Sequence, residues 1–112
     1  MKRIAAIVRP EKLVELKAAL DGAGVRGMTV YEVMGCGSQR GWSEYVRGNE
    51  VMLSMIPKVK LELVVPDDQV DDLIDLVCDT ALTGEVGDGK IFVTAVEECV
   101  RIRTRERGEA AL

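Results

Sequence analysis

The segment Lys58–Val65, KVKLELVV, alternates without interruption: Val59, Leu61, Leu63 and Val65 fall on one face, and Lys58, Lys60, Glu62 and Val64 on the other. Successive side chains of an extended chain point to opposite sides, so this segment predicts a strand with one apolar face. A strand of that kind belongs in a sheet packed on one side and open on the other. Pro66 and Asp67 end it, and Val70, Leu73, Ile74, Val77 and Ala81 then recur at helical spacing. The chain begins in a parallel way. KRIAAIVR (Lys2–Arg9) is short and apolar and stops at Pro10, after which Leu13, Leu16 and Leu20 mark one helical face.

The remaining elements follow from the same reasoning. Gly22 and Gly24 suit the exit of the first helix, and Gly84 is placed to cap the second. MTVYEVMG (Met28–Gly35) is rich in β-branched and aromatic residues and predicts a strand. KIFVTAVEECVRIR (Lys90–Arg103) predicts a final extended segment, followed by the polar tail TRERGEAAL. The order is βαββαβ in two similar halves, which fits an α+β, ferredoxin-like antiparallel sheet with both helices on one face. The uncovered face makes oligomerisation the expected way to bury its apolar residues.

Composition narrows the chemistry. The 112 residues form one domain, 47% hydrophobic and 30% charged. No opening stretch resembles a signal peptide, and no apolar run approaches the ~20 residues of a membrane span. Cys36, Cys78 and Cys99 are far apart and form no CxxC, so neither a disulfide framework nor a zinc ribbon is expected. A reduced, cytoplasmic protein is the expectation. The absence of histidine removes imidazole acid/base catalysis, phosphohistidine chemistry and most catalytic zinc sites. Net charge is −4, unevenly spread: Asp67, Asp68, Asp71, Asp72, Asp75 and Asp79 crowd one stretch, and Arg101, Arg103, Arg105 and Arg107 another. The aspartates are expected to solvate the outer face of the second helix and favour its N-terminus. One small basic patch on an acidic chain suits a small anion better than a nucleic-acid backbone.

Two segments invite a functional reading. The first, TGEVGDGKIFV (Thr83–Val93), contains G-x-x-x-x-G-K, but Ile91 stands where a P-loop carries its Mg²⁺-binding hydroxyl. Its context is also reversed, with a helix before the loop and a strand after it, so a helix C-terminus would face the anion. Two readings stay open: an ordinary helix-to-strand turn, or a backbone nest whose N–H groups hold phosphate beside Lys90. Ile91 is then expected as the first core-facing residue of the last strand. If the tail is extended, Arg101, Arg103 and Arg105 share a face and could serve the same anion; otherwise they are solvated. The second segment, Gly35–Pro57, is long and studded with Gly35, Gly37, Gly41 and Gly48, which argues against one continuous element. Loops of that length are usually functional. Trp42, Tyr45, Val46, Val51, Met52, Leu53 and Met55 make it apolar and suited to partner contact.

RGMTVYEVMGCGSQRG, RGNE, PKVKLELVVPDDQV, TGEVGDGKIFV and RIRTRERGE together resemble the P-II nitrogen-signalling proteins, essentially from Met1 to Leu112. That resemblance implies a homotrimer with ATP/ADP sites in clefts between subunits. It makes Gly84–Lys90 the B-loop, with Gly87, Asp88, Gly89 and Lys90 cradling phosphates, and Arg101 and Arg103 reaching in from the neighbouring subunit. Thr29, Glu62 and Val64 fall where the family holds adenine, Ile7 lines that pocket, and Gly35 and Gly37 join the nucleotide site. For Ile7 and Val64, simple core packing is the competing reading. Residues 37–56 become the T-loop, the family's output element. Mg²⁺ there would bridge ATP phosphates, the Gln39 oxygen and 2-oxoglutarate, while Lys58, Gly37 and Gly87 complete the keto-acid site. Mg²⁺ prefers oxygen ligands and accepts them from substrate, which suits this arrangement.

Three positions depart from the family pattern. Val51 replaces the nucleotidylated tyrosine and Asn49 the phosphorylated serine, so neither can be modified in that way. Ser38 replaces a common arginine and removes one phosphate contact. Tyr45 and Ser43 remain as loop hydroxyls. Arg47 matches the loop-tip arginine that plugs an ammonium transporter in family members; with Trp42 and Tyr45 it is expected to dock a partner. The implied role is a regulatory protein for a transporter, nitrogen-metabolism enzymes or regulators, and not an enzyme. The alternatives are a paralogue sensing adenine nucleotides or another small molecule such as bicarbonate, and a slow ATP-hydrolysing protein. A metal-binding trimer is weakly supported without histidine.

Overall fold

The computed structural model describes residues 1–36 and 55–112 in full, and the backbone of 43–46 and 49–52. Among the described residues, six strands and two α-helices run in the order β1 (Lys2–Val8), α1 (Leu13–Gly22), β2 (Thr29–Gly35), β3 (Ser43–Val46), β4 (Asn49–Met52), β5 (Ile56–Val65), α2 (Val70–Ala81) and β6 (Lys90–Ala95). Four of the strands make one antiparallel sheet in the order β2-β5-β1-β6. This is the expected ferredoxin-like βαββαβ arrangement, with the β3–β4 hairpin inserted between β2 and β5. The hairpin pairs Tyr45 with Glu50 and Val46 with Asn49, so the glycine-studded segment contains a short ladder. Its strands coincide with residues of high β propensity, Tyr45, Val46 and Val51.

The alternation of β5 is realised as read. Val59, Leu61, Leu63 and Val65 are buried, as are Ile4, Ala6 and Val8 opposite them in β1. Leu16 and Leu20 of α1 and Leu73, Val77 and Ala81 of α2 complete the cluster, with Leu13, Val70 and Ile91 packed at its margin. Removing each such side chain from water is worth ~1.5–3 kcal/mol, so this one-sided core is the main cohesive element. Among the described residues no polar side chain is buried in it. Asp67, Asp68, Asp71, Asp72, Asp75 and Asp79 are exposed, as expected of a solvated outer face. Asp67 also meets the Met1 amine at 2.9 Å.

Helix boundaries follow local chemistry. Both helices are entered through a 3₁₀ turn, Pro10–Lys12 and Asp67–Gln69. At the exit of α1, Gly24 takes φ +86° while its N–H donates to the Asp21 carbonyl and that of Val25 to Leu20. This is the Schellman closure expected of glycine there. The cap predicted for Gly84 is corrected: α2 ends at Ala81 and is capped by Leu82 in extended backbone, with Gly84 two residues beyond that cap and bound to a carboxylate instead. Cys36, Cys78 and Cys99 are free thiols. Among the described residues no helix is long and apolar enough to cross a membrane.

Candidate functional site

Cross-strand register sets out the sheet face that carries no helix. Thr29, Glu62, Ala5 and Phe92 form one row across it, and Tyr31, Lys60, Ile7 and Lys90 the next. Phe92 and Tyr31 are 52% and 43% exposed, so this face keeps apolar surface in water. Val64 stands opposite Arg3 on the same side. Ile7 and Val64 are therefore half-buried on the helix-free face, outside the helix-side core.

At one end of this face lies a cleft of about 460 Å³, within the range of small-molecule sites. Its walls are Ile7, Gly35, Cys36, Ile56, Lys58, Val86, Gly87, Gly89, Lys90 and Phe92. The structure thus brings together Ile7, Gly35, Lys58, Gly87, Gly89 and Lys90 from four strands and the α2–β6 loop. Thr29, Glu62 and Val64 share the sheet face but not the cleft wall. Glu62 is engaged by Lys60 at 3.0 Å and by the Tyr31 hydroxyl at 3.3 Å. The hydrogen bond from Lys60 is the main cause holding its carboxyl below the ordinary glutamate value.

The α2–β6 loop, 82–89, is built around Asp88. Its carboxylate accepts the Thr83 and Gly84 N–H groups, each at 2.9 Å, together with the Thr83 hydroxyl. Arg9 Nε adds a contact of 3.2 Å. The Thr83 hydroxyl, followed by its backbone N–H and that of Gly84, holds the Asp88 carboxyl far below the usual aspartate range. An ionised carboxylate is acceptor-only, so Asp88 could serve an anion only through its backbone N–H. Gly87 and Gly89 have φ of +103° and +106°, the conformation that lets successive N–H groups converge. At Gly89 no other residue fits, because a Cβ would lie 1.7 Å from the Ile7 carbonyl oxygen. The glycine loop is pressed directly against the end of β1.

Two cations hold the loop from the sheet. Lys58 Nζ donates to the Gly87 carbonyl at 2.6 Å, and Arg9 Nη2 to the Val86 carbonyl at 2.7 Å. Burial is the main cause that lowers the Lys58 pKa, and the nearby Arg9 charge adds to it. Arg9, Thr83, Cys36, Ile56, Val86 and Phe92 escaped the sequence reading. Arg9 alone carried a signal, as a charge closing a buried apolar strand immediately before proline. Lys90 lines the cleft and is exposed.

The tail differs from expectation. β6 ends at Ala95, and residues 102–104 form a turn instead of extending the strand. Val100 bridges to Arg107, and Arg105 sits at φ +61°. The alternation that would align Arg101, Arg103 and Arg105 is therefore lost. Local bonds account for it: the Thr104 hydroxyl donates to Glu106 at 2.7 Å and accepts the Glu106 N–H at 3.3 Å. Arg101 is paired with Glu106 and with the Leu112 carbonyl, whereas Arg103 is exposed. Neither lines the cleft of its own chain. Gly37, Ser38, Gln39, Trp42 and Arg47 lie outside the described residues, and Ser43, Tyr45, Asn49 and Val51 are described in backbone alone. Among the described residues no cluster of carboxylates, thiols or imidazoles is placed to hold a metal.

Comparison with known proteins gives a consistent result. The family pattern "Nitrogen regulatory protein P-II" matches residues 1–106. Nitrogen regulatory protein P-II 2 of Methanothermobacter thermautotrophicus is 51% identical over all 112 residues, covering 97% of its own length. Nitrogen regulatory protein P-II 1 of Escherichia coli is 52% identical over 112 residues, the whole of both chains. The corresponding protein of Pasteurella multocida is 51% identical over the same extent. The chain belongs to the P-II family of nitrogen regulatory signal-transduction proteins.

Proposed function

We propose that this chain senses nitrogen, carbon and energy status by binding ATP or ADP and, together with Mg-ATP, 2-oxoglutarate. The sites lie at clefts between subunits of a homotrimer. The observation that carries the reading is the cleft closed by the glycine loop, with Lys58 and Lys90 on its wall and Gly89 at a position open to glycine alone. The residues present fit an anionic ligand: backbone in the nest conformation, two wall cations, and an Asp88 carboxylate turned into its own loop. Backbone of Gly87 and Gly89 with Lys90 would hold phosphates, and Ile7, Thr29, Glu62 and Val64 would receive the base. Arg101 and Arg103 would come from the neighbouring subunit, a role compatible with their distance from the wall of their own cleft. Lys58, with Gly37, Gln39 and Gly87, would hold the dicarboxylate, and Gln39 would supply oxygen to Mg²⁺. The metal's contribution is charge neutralisation between phosphate and keto acid.

The output would be the segment 37–56, whose partners read the difference between ligand states through unequal affinity. Trp42, Tyr45 and Arg47 would make the contacts with an ammonium transporter or nitrogen-metabolism proteins. The exposed Phe92 and Tyr31 support a trimer that covers the open sheet face. Linkage supplies the test. If 2-oxoglutarate and ATP share the site, each must tighten the other by the same factor. Calorimetric titration of ATP with Mg²⁺, in the presence and absence of 2-oxoglutarate, should show that gain. Unchanged ATP affinity would falsify the sensor reading, and a sedimenting monomer would remove the intersubunit site.

A further inference from the structure

Arg9 stands at the junction of the sheet and the glycine loop. It follows the last residue of β1 and precedes Pro10, which confines it to extended backbone, φ −63° and ψ 137°. Its side chain is thereby directed along the strand end and is only 15% exposed. The guanidinium forks across the loop: Nε donates to Asp88 Oδ1 at 3.2 Å and Nη2 to the Val86 carbonyl at 2.7 Å. Asp88, on the far side, takes the N–H groups of Thr83 and Gly84. The two limbs of the loop therefore converge on one carboxylate, and Arg9 ties that carboxylate to the sheet.

We propose that Arg9 is a positioning residue, which together with Asp88 holds the Thr83–Lys90 loop in the shape that receives anionic oxygens. This rests on the reading of that loop as a phosphate cradle. Arg9 acts through Asp88 and the loop backbone and does not touch the ligand. Arginine suits the task because a planar fork can serve a carboxylate and a carbonyl together, whereas one ammonium on a flexible stem cannot. The placement is otherwise unfavourable. Arg9 lies near enough to Lys58 for the two charges to oppose one another, an arrangement relieved by Asp88 and Glu11. A cation held there against repulsion, and bonded to loop atoms, is explained by the order it imposes on the loop.

Two measurements on the full-length protein test this. The first is amide hydrogen exchange without nucleotide. Arg9→Gln should speed exchange of the Thr83 and Gly84 amides by about tenfold while amides of β5 and α1 keep their protection. The second is ATP affinity in a double-mutant cycle. Arg9→Gln and Asp88→Asn should each weaken binding by about five- to tenfold, with the double variant no worse than the poorer single, since both break one unit. Arg9→Lys should recover part of the loss. Should Arg9→Gln fail to fold, Arg9→Lys carries both measurements, with smaller changes expected at the same amides. Unchanged exchange at Thr83 and Gly84 would overturn the proposal, and so would additive losses in affinity, which would make Arg9 a direct ligand contact. If the unaltered protein fails to bind ATP, the sensor reading falls, while the exchange measurement still decides whether Arg9 orders the loop.

Discussion

Gly89→Ala is the sharpest perturbation the structure offers. An alanine Cβ would lie 1.7 Å from the Ile7 carbonyl oxygen, 2.8 Å from its carbon and 3.3 Å from Val8 Cα. Carbon and oxygen approach comfortably only to about 3.3 Å, so loop and strand must separate by roughly 1.5 Å. Ile7 pairs with Lys90 at the last position of the β1–β6 ladder, so the separation should peel that end open. Losing one or two ladder hydrogen bonds costs about 1 kcal/mol each. A Cβ at positive φ adds about 1–2 kcal/mol. The expected loss is therefore about 2–4 kcal/mol. Gly24→Ala isolates the backbone component, since Gly24 has φ +86° and nothing within 4 Å of the added atom. That control should lose only about 1–2 kcal/mol. Urea unfolding of both variants at one protomer concentration gives the comparison, because oligomers gain stability with concentration. Equal losses to within about 0.5 kcal/mol would refute the close-approach argument.

Three further outcomes are expected. Leu61→Ala, at a fully buried position in the middle of β5, should cost about 2–5 kcal/mol, against under about 0.5 kcal/mol for Val14→Ala at an 80% exposed site. Comparable urea midpoints for the two would contradict the one-sided core. Asp88 has a folded pKa well below its unfolded value, so its contribution is complete above the ordinary carboxylate range, begins to fall as pH enters that range, and is lost as pH drops on toward the folded value. The stability gap between the wild type and Asp88→Asn should therefore shrink from about pH 6 to about pH 3.5, and a constant or widening gap would oppose this. Glu62, Asp67 and Glu98 are also lowered, but Asp88 is not among the causes, so their effect should cancel in the difference. Lys58→Gln removes both the charge offered to a dicarboxylate and the bond to Gly87, so the 2-oxoglutarate enhancement of ATP affinity should disappear. An enhancement kept in full would place the keto acid elsewhere.

The elements were legible in the sequence where periodicity reports burial directly. The alternation of Lys58–Val65 and the stripes of α1 and α2 translate into core contacts because strand and helix periods assign faces locally. The glycine at Gly24 was legible for the same local reason. Gly84 was misread because capping depends on where the helix stops, and α2 yielded to the bonds that Thr83 and Gly84 make with Asp88. The tail arginines were misread because their alternation assumed extended chain, while Thr104 and Glu106 favour a turn.

By itself, then, the sequence determined the order of elements, the apolar face of each, and a glycine-rich loop joining helix to strand. Only the tertiary structure decided how that loop is held and what it faces. Arg9 and Asp88 are 79 residues apart and Lys58 and Gly87 are 29 apart, so neither pair has a local signature. Sheet pairing brings β1, β5 and the loop together at one end of the sheet. There the absence of a Cβ at Gly89 and the charges of Arg9, Lys58 and Asp88 become a single arrangement. Local periodicity can say which way a side chain faces, but which side chain it then meets is set by the sheet.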